Sequence, residues 1–441
     1  MILVYAPKIT SRLRYTLDLI FDNLLGQQWE VSSDKDSYLA FDGCRINYSS
    51  QPIGRSEFRI IPSGFLEKRG VQPFVPQIKK IHDLPCLFPD AEKNCKLGFD
   101  VFSAVFYLVS RYEEYLPHQA DNHGRFKAED SLAFKHGFLE IPLVDHYALL
   151  LQKELACKFN KTIASNREFK FYATYDIDVA YAYHGRGILR GTGATLQSLL
   201  KLQPGKIIER AVVLTGKKKD PFDTYDYQLA LHKKHNLKAF YFFLCGDYSP
   251  FDKNISVFSG AFHTLVKKIG DYSFTGIHPS YYTSNNSKRL STEVARLSKI
   301  MNREIRFSRQ HYLKMHLPQT YRNLINININ NDFSMGYAAR PGFRASIANP
   351  FVFYDVPREE ITNLKVFPFM IMDGTLRDYL GLNPLEAMQK IEKIINAVQL
   401  VNGTFISLWH NDSLCECNGW QGWRQVYEHL VLLATANRCT I

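Results

Sequence analysis

The stretch FKFYATYDID, residues 169–178, joins an apolar segment to a pair of carboxylates. Most positions of residues 169–175 carry aromatic or β-branched side chains, which favour a buried strand. Asp176 and Asp178 follow directly. In parallel α/β barrels, polar side chains at the carboxyl ends of the strands build the active site. The stretch therefore predicts the first strand of a parallel sheet and one edge of a site.

A short strand followed by a helical stretch recurs from residue 169 onward. Such alternation indicates a parallel sheet covered by helices. About seven units of this kind predict an α/β fold, a distorted (β/α)7 barrel. The predicted strands are 169–175, 238–244, 273–277, 304–308, 332–337, 366–372 and 404–408. Helices are predicted at 257–269, 292–301, 318–324 and 384–400.

The chain before this repeat forms a separate unit. Residues 1–164 are predicted to be a smaller N-terminal α/β domain, and residues 165–441 to be the barrel, because the segment 160–168 (NKTIASNRE) is polar. In the N-terminal unit we expect a strand at 1–5, helices at 11–25, 100–115 and 147–159, and a loop-like region at 121–142.

Composition narrows the class of protein. With 46% hydrophobic and 22% charged residues, the chain is typical of a globular protein. Its formal net charge of +11 attracts anionic partners, but the basic residues are scattered and no nucleic-acid motif is visible, so we expect no nucleic-acid partner. We find no signal peptide and no transmembrane segment, and therefore expect a cytoplasmic protein. The eight cysteines form no CxxC pair and are expected to be reduced thiols. The sequence indicates no oligomeric state.

Polar side chains follow several of the predicted strands. They are Asp176 and Asp178 after the first, His278 after the third, Arg309 and His311 after the fourth, Asp373 after the sixth and His410 after the seventh. Strand ends of a barrel share one rim, so these side chains are expected to converge. Aspartate and histidine together suit zinc or a similar divalent ion, which polarises a carbonyl and activates water. The pattern predicts metal-assisted hydrolysis of an amide or ester.

Four of these segments resemble the motifs of the polysaccharide deacetylases, the NodB-like group of carbohydrate esterase family 4. The segments are Thr174-Tyr175-Asp176-Ile177-Asp178, Gly276-Ile277-His278, Arg309-Gln310-His311-Tyr312 and Leu408-Trp409-His410-Asn411. The resemblance covers residues 165–441, and residues 1–160 resemble an appended domain of bacterial relatives associated with surface-polysaccharide synthesis. It implies a divalent metal cofactor, zinc, and an acetylated glycan or polysaccharide as the substrate.

The resemblance also implies a role for each matching residue. Asp176 would be the general base, and Arg309 would pair with it and hold its orientation. The backbone N–H of Tyr312 would help to stabilise the oxyanion. His410 would be the general acid. Asp178 and His278 would bind the metal.

One position departs from the family pattern. The family has a second ligand histidine four residues after the first, whereas Tyr282 stands four residues after His278. His311 is the best substitute, because the fourth strand is expected beside the third and an imidazole is a better ligand than a neutral phenol. Two alternatives remain open: His311 only hydrogen-bonds a carboxylate or the substrate, or His410 or a water fills the position.

Two functions follow from these patterns. The first is a metal-dependent hydrolase that removes N- or O-acetyl groups from a polysaccharide or glycan precursor. The second is a catalytically degenerate barrel that binds glycan or acts as a scaffold in surface-polysaccharide biosynthesis. Tyr337, Phe343 and Arg344 are candidates for lining the substrate groove, with core packing as an equal alternative.

Overall fold

The computed structural model describes residues 1–54, 56–90, 96–165, 167–186 and 204–436. Its strands form a four-stranded sheet in the order β2-β1-β3-β4, a β5-β6 pair, and a nine-stranded sheet in the order β12-β13-β11-β10-β9-β8-β7-β15-β14. The strands are β1 (Ile2–Tyr5), β2 (Trp29–Ser32), β3 (Cys44–Asn47), β4 (Phe58–Arg59), β5 (Ile78–Ile81), β6 (Leu84–Leu87), β7 (Lys170–Ile177), β8 (Ala239–Phe243), β9 (Phe274–Ile277), β10 (Phe307–Ser308), β11 (Asn331–Asp332), β12 (Phe351–Asp355), β13 (Glu360–Val366), β14 (Ile371–Met372) and β15 (Thr404–His410).

Helices cover the sheets. The α-helices are Ser11–Leu17, Lys35–Ala40, Val101–Val109, Leu132–Lys135, Leu143–Phe159, Pro204–Leu214, Tyr225–His235, Gly260–Gly270, Ser287–Met301, Gln319–Ile325, Pro384–Gln399 and Trp423–Thr435, with π-helical segments at Asp18–Leu24 and Thr375–Tyr379. Short 3-10 helices lie at Phe65–Glu67, Tyr112–Tyr115, Ala128–Asp130, Tyr281–Asn285, His311–Leu313, Val356–Arg358 and Asp412–Leu414. Among the described helices, none combines the length and apolar character needed to cross a membrane.

The small N-terminal sheet is parallel, with β1 between β2 and β3. The predicted helix over 11–25 begins at the Thr10 cap, where the Thr10 hydroxyl accepts from the Leu13 N–H, and continues after Leu17 as a π-helix. All nine residues of Val101–Val109 are buried; eight are apolar or aromatic, and the hydroxyl of the ninth, Ser103, donates to the Asp100 carboxylate at 2.6 Å. A buried helix of this kind supplies the core of the unit.

The nine-stranded sheet carries the seven predicted strands. Strands β7, β8, β9, β10 and β11 pair in parallel along the chain, and β15 lies on the other side of β7. Phe240 and Phe333 fill the interior with their rings 4.9 Å apart, whereas Trp409 and Tyr427 pack outside, with their ring centroids also 4.9 Å apart. The predicted α/β barrel with a preceding smaller α/β part is confirmed as a curled sheet with helices on its outer face.

One part of the barrel differs from the prediction. The single strand expected at 366–372 is two strands, because Pro368 has no N–H to continue the ladder. Phe367 donates to the Asp332 carbonyl, and Met370 then donates to the Ile406 carbonyl, so the chain passes from β11 across to β15. Strand β12, which pairs antiparallel with β13, was not predicted.

The two parts of the chain share a single hydrophobic core. The predicted boundary at residue 164 falls between the helix Leu143–Phe159 and β7. Charged side chains also join the two parts, since Arg344 donates to Glu114 over 2.9 and 2.7 Å and Arg12 donates to Glu359. The barrel and the N-terminal unit therefore pack against each other around one hydrophobic core and are also joined by ion pairs.

The prediction that the cysteines are reduced thiols is wrong for Cys415 and Cys417. Cys415 and Cys417 are joined in a disulfide, which the positive φ of 56° at Glu416 allows by turning the chain back on itself. The thiols of Cys44, Cys86, Cys157 and Cys245 are free. Cys95 and Cys439 lie outside the described residues.

Candidate metal centre and active site

The polar residues that follow the strands meet at one end of the barrel. In the pairing of β7 with β15, Asp176 stands directly beside His410. His278 follows β9 and Arg309 follows β10, the next two strands of the same half of the sheet after β8. Because these strands are parallel, their carboxyl ends share one rim and bring the four side chains together.

Asp178, His278 and His311 form a compact cluster. One potential ligand atom of each residue lies within 4.8 Å of those of the other two. The Asp178 carboxylate is 3.0 Å from Nε2 of His278 and 3.3 Å from Nε2 of His311. The two imidazoles are buried and the carboxylate is 30% exposed, so the cluster faces the opening of the barrel.

Hydrogen bonds on the far side of each ring fix the two imidazoles. Nδ1 of His278 lies 2.6 Å from the carbonyl oxygen of Arg309, which requires Nδ1 to carry the proton. Nδ1 of His311 lies 2.9 Å from the Asp252 carboxylate. Both arrangements turn Nε2 toward Asp178, so that Nε2 is the nitrogen that can bind a metal when it carries no proton, and partners of this kind typically orient metal-bound histidines.

Asp252 was missed by sequence reasoning. It lies on the loop after β8, nine residues beyond Phe243, where no strand-end rule points to it. Its carboxylate also accepts from the Tyr281 N–H at 2.9 Å and from the Ser249 hydroxyl at 2.7 Å. A buried carboxylate with three donors keeps its charge, and it holds His311 in place.

Electrostatics in the cluster favour a cation. Burial alone would raise the pKa of Asp178, but its contacts with His311 and His278 lower that pKa well below the usual value. Burial alone would lower the pKa of His311, but Asp178 and Asp252 raise it to about 9. The carboxylates thus attract positive charge strongly enough to keep a proton on His311. A divalent ion would compete with that proton for Nε2 of His311.

The residues fit a divalent ion of the zinc type. Oδ1 of Asp178 is buried and lies 3.0 Å from Nε2 of His278, but with the His278 proton on Nδ1 no group among the described residues donates a hydrogen bond to it, which is costly for a carboxylate oxygen unless a cation or water meets it. One carboxylate and two imidazoles form a three-residue donor set of the kind that catalytic zinc sites use. His311, predicted from the sequence as the third ligand, is the third member of this cluster.

Tyr282 takes no part in the cluster. Its side chain is 42% exposed, and the Arg289 guanidinium lies over its ring at 5.7 Å. The first residue of the 3-10 helix Tyr281–Asn285 comes three residues after His278, so the chain turns away from the rim before it reaches Tyr282. For the residue four positions after His278 to bind the metal, the chain would have to turn differently after β9.

Asp176 is held in a buried ion pair. Its carboxylate accepts from Nη1 of Arg309 at 3.0 Å, and both side chains are almost fully buried. Arg309 is itself fixed by its Nε–H, which donates to the Phe333 carbonyl at 2.9 Å, and by Phe242, whose ring lies 4.7 Å below the guanidinium. This pair fixes the direction of the Asp176 carboxylate, whose second oxygen lies 3.8 Å from Nε2 of His278. The carboxylate is therefore placed beside the metal cluster, where hydrolysis would need a general base.

His410 forms a dyad with Asp373. Nδ1 of His410 lies 2.8 Å from one carboxylate oxygen of Asp373, and the backbone N–H of His410 donates to the other at 2.8 Å. Burial alone would lower the pKa of His410, but Asp373 and then Asp178 raise it well above the usual value. The ring is thus held as an imidazolium whose Nε2–H is directed toward the cluster, 3.7 Å from Asp178.

A cleft of about 240 Å³ opens over these groups. It is lined by Asp176, Asp178, His278, His311 and His410 and, around its mouth, by Arg125, Tyr312, Leu313, Ala338, Met372, Gly374, Asp378, Tyr379 and Leu408. Arg125 comes from the N-terminal unit and had not been predicted. Tyr312 had been predicted, and its backbone adopts a positive φ of 58°.

The three residues suggested for the substrate groove lie elsewhere. Phe343 is 1% exposed and belongs to the core. The Arg344 guanidinium donates to the Glu114 carboxylate and to the Gly336 carbonyl. The Tyr337 hydroxyl accepts from Arg111 at 2.9 Å. Tyr337 and Arg344 line a neighbouring cleft of about 230 Å³ that shares Arg125, Leu313, Ala338 and Tyr379 with the first.

The fold and the site together define an α/β barrel protein with a candidate metal centre at the carboxyl ends of its strands. A family model described as a family of unknown function, DUF7033, matches residues 2–160. No curated protein matches the chain.

Among solved structures, the chain is similar to a proposed polysaccharide deacetylase from Mycobacterium smegmatis, with 12% identity, a TM-score of 0.42, and coverage of 62% of this chain and 86% of that one. It is also similar to a polysaccharide deacetylase from Bacillus cereus, with 12% identity, a TM-score of 0.29, and coverage of 62% and 87%. A third similar structure is a CE4 family pseudoenzyme from Bacillus anthracis, with 10% identity, a TM-score of 0.31, and coverage of 60% and 61%.

Proposed function

We propose that the protein is a metal-dependent hydrolase that removes acetyl groups from a glycan or a glycan precursor. One observation carries the proposal: the Asp178–His278–His311 cluster lies in the same cleft as the carboxylate of Asp176 and the imidazole of His410. A metal site flanked by a potential base and a potential acid is the arrangement that amide hydrolysis requires.

The ion would be held by Asp178, His278 and His311. When bound, a divalent ion of the zinc type polarises the acetyl carbonyl and favours deprotonation of water. Asp252 and the Arg309 carbonyl keep the two rings oriented from behind. Because these outer contacts already exist, binding needs little rearrangement of the histidines.

Asp176 is proposed as the general base. Its contact with Arg309 fixes the direction of the carboxylate, so that it can take a proton from the attacking water. Arg309 has no route to reach the substrate, because it is fully buried behind Asp176. It therefore acts as a positioning residue.

His410 is proposed as the general acid. The amine that leaves during amide hydrolysis is a poor leaving group until it is protonated. The Asp373 carboxylate stabilises the imidazolium, and Nε2 of His410 is directed into the cleft. The His410 ring would donate its proton to the departing nitrogen or oxygen.

The proposed substrate is an acetylated sugar. The cleft is open and small, at about 240 Å³, and its mouth carries the aromatic side chains of Tyr312 and Tyr379. Aromatic rings of this kind can pack against the apolar face of a sugar, while the acetyl group enters toward the cluster.

The test is acetate release from acetylated chito-oligosaccharides and acetylated xylan by protein stripped of metal and then reloaded with zinc. We expect activity that depends on zinc, and loss of at least about a hundredfold in kcat for Asp176→Asn, since general acid–base groups contribute about 10²–10⁴-fold. The control is zinc content, which Asp176→Asn should leave nearly unchanged.

Wild-type turnover by Asp176→Asn on a substrate that the wild type cleaves would remove Asp176 from the mechanism. If zinc binds but no acetylated glycan releases acetate, the degenerate glycan-binding barrel becomes the better account, and retention on immobilised glycan is then the next measurement.

A further inference from the structure

The N-terminal unit sends one tight turn to the mouth of the candidate site. In this turn the Gly124 N–H donates to the Asp121 carbonyl at 2.8 Å, and the Asp121 N–H donates to the Arg125 carbonyl at 2.9 Å. The Asp121 carboxylate accepts from the backbone N–H groups of His123 and Arg125, each at 2.9 Å. Hydrogen bonds within the turn therefore fix its conformation without help from the barrel.

The guanidinium of Arg125 spans the gap between the two parts. Its Nε donates to the Asp121 carboxylate at 2.7 Å, and its Nη1 donates to the carbonyl oxygen of Tyr312 at 2.8 Å. The residue is 8% exposed and lines the cleft that contains Asp178 and His410. A charge-assisted hydrogen bond from a fixed guanidinium is stronger and more directional than a neutral one.

The segment that Arg125 holds is strained. Tyr312 and Leu313 are consecutive non-glycine residues in the left-handed region, with φ of 58° and 53°. Such conformations are unfavourable for residues with a side chain and persist only when the surrounding structure enforces them. The residue just before this pair is His311, the third member of the metal cluster. Whatever holds the turn therefore also sets the position of His311.

A second contact from the same turn supports this one. The ring of His123 packs 4.9 Å from the ring of Tyr312, and Nδ1 of His123 lies 3.2 Å from the hydroxyl of Tyr281. Both barrel residues follow strands whose ends carry cluster histidines. The N-terminal turn thus contacts the loops that bear both His278 and His311.

We propose that the N-terminal unit completes the candidate site, with Arg125 as the positioning residue that locks the His311–Leu313 turn in its strained conformation. This rests on the proposed metal-dependent function of the cleft. It gives the part of the chain matched by a family of unknown function a role in the barrel's chemistry: without Arg125, the turn relaxes and His311 moves out of reach of the ion.

The experiment compares Arg125→Ala and Arg125→Lys in the full chain, with Glu140→Gln as the matched control. Glu140 also joins the N-terminal unit to the barrel, through Lys390 and Lys393, but it does not line the cleft. Zinc affinity is measured by competition with a chromophoric chelator, and kcat and KM are measured on the acetylated substrate.

We expect Arg125→Ala to weaken zinc binding by about ten- to a hundredfold, as loss of a residue that orients metal ligands does, and to lower kcat more than it changes KM. Arg125→Lys should lie between, because an ammonium can reach one partner but cannot span both. Guanidinium ion, added well below denaturing concentration, should restore part of the zinc affinity of Arg125→Ala and leave Glu140→Gln unchanged.

Zinc affinity of Arg125→Ala equal to that of the wild type, or an equal loss in Glu140→Gln, would overturn the proposal. The two proposals fail separately. If no glycan is hydrolysed but Arg125→Ala still weakens zinc binding, the proposed function fails and the role of Arg125 stands. If hydrolysis proceeds and Arg125→Ala behaves like the wild type, only the role of Arg125 fails.

Discussion

At the scale of single residues, the site is a set of pairs in which one group orients another. Asp252 holds His311, Arg309 holds Asp176, and Asp373 holds His410. Each outer group is buried, so the strength of each pair is little screened by solvent. The inner groups face the cleft with their reactive atoms free. Because each inner residue has its own outer partner, its role can be tested by substituting that residue alone.

The third metal ligand is the first residue to test. We expect His311→Ala to weaken zinc affinity by more than about a hundredfold, because losing a ligand costs more than losing an outer partner, which is worth about ten- to a hundredfold. Tyr282→Phe should bind zinc like the wild type, since the Tyr282 ring is 42% exposed and outside the cluster. Equal affinities for His311→Ala and the wild type, measured by chelator competition, would contradict the assignment.

The role of His410 predicts a dependence on the leaving group. His410→Ala should slow amide hydrolysis by about 10²–10⁴-fold, because the leaving amine needs a proton. Hydrolysis of an activated acetyl ester, whose leaving group needs no proton, should slow far less. The measurement is the ratio of the two kcat/KM values in the wild type and the variant. An unchanged ratio would show that His410 does not donate that proton.

At the scale of elements, the site depends on how closely neighbouring strands approach. His278 reaches the rim because β9 lies between β8 and β10. Gly276, two residues earlier, has no room for a side chain: a Cβ there would lie 2.7 Å from the Phe307 carbonyl oxygen and 2.8 Å from the Phe242 ring. Phe242 in turn supports the Arg309 guanidinium. Packing inside the barrel and geometry at the rim are thus coupled.

Gly276→Ala should therefore destabilise the protein by about 1–3 kcal/mol, the usual cost of overpacking a core. Gly260→Ala is the control, because a Cβ at that helix position meets no atom of the described residues within 4 Å, and alanine favours a helix over glycine by up to about 1 kcal/mol. Urea denaturation of both variants is the measurement. A Gly276→Ala protein as stable as the wild type would show that β9 and β10 separate at no cost.

At the scale of the whole molecule, a buried charge cluster joins the N-terminal unit to the barrel. The carboxylate of Glu114 accepts from Arg111 at 2.7 Å and from Arg344 at 2.9 and 2.7 Å. Burial alone would raise the pKa of Glu114, but the two guanidinium groups lower it to about 2. The two parts of the chain are therefore expected to unfold in a single transition.

Glu114→Gln should cost about 3–5 kcal/mol in the free energy of unfolding, because it removes the carboxylate that the buried Arg344 guanidinium pairs with and leaves Arg111 with Glu113, at 2.9 Å, as its remaining carboxylate partner. The pKa of Glu114 is lower in the folded state, so its contribution is complete above the unfolded carboxyl pKa of about 4.3 and is lost as the pH falls through the folded value of about 2. Urea denaturation between those pH values should show a steeper loss of stability for the wild type than for Glu114→Gln.

Glu304→Gln is the matched control for this measurement. Glu304 pairs with Arg306 at the surface and is 65% exposed, so its removal should change stability by at most about 1 kcal/mol. Equal effects of the two variants would show that burial gives the Glu114 cluster no special weight.

Local pattern was sufficient for much of this protein. The alternation of strand and helix from residue 169 predicted the barrel, because each apolar strand is bounded by its own turn and helix signals. The residues at the carboxyl ends of β7, β9, β10 and β15 were candidates for the same reason, since strand ends are visible in the chain. A missing histidine four residues after His278 could be read directly.

Tertiary structure alone decided the rest. Asp252 and Arg125 lie in loops with no periodicity, and their importance comes from contacts across 59 and 187 residues of chain. Phe343 and Arg344 had the right chemistry for a groove, yet packing against the N-terminal unit buries them. Sequence periodicity reports which face of an element is apolar, but it carries no information about which distant loop will meet that face. Which loop meets that face is decided only when the two parts of the chain pack together around their shared core.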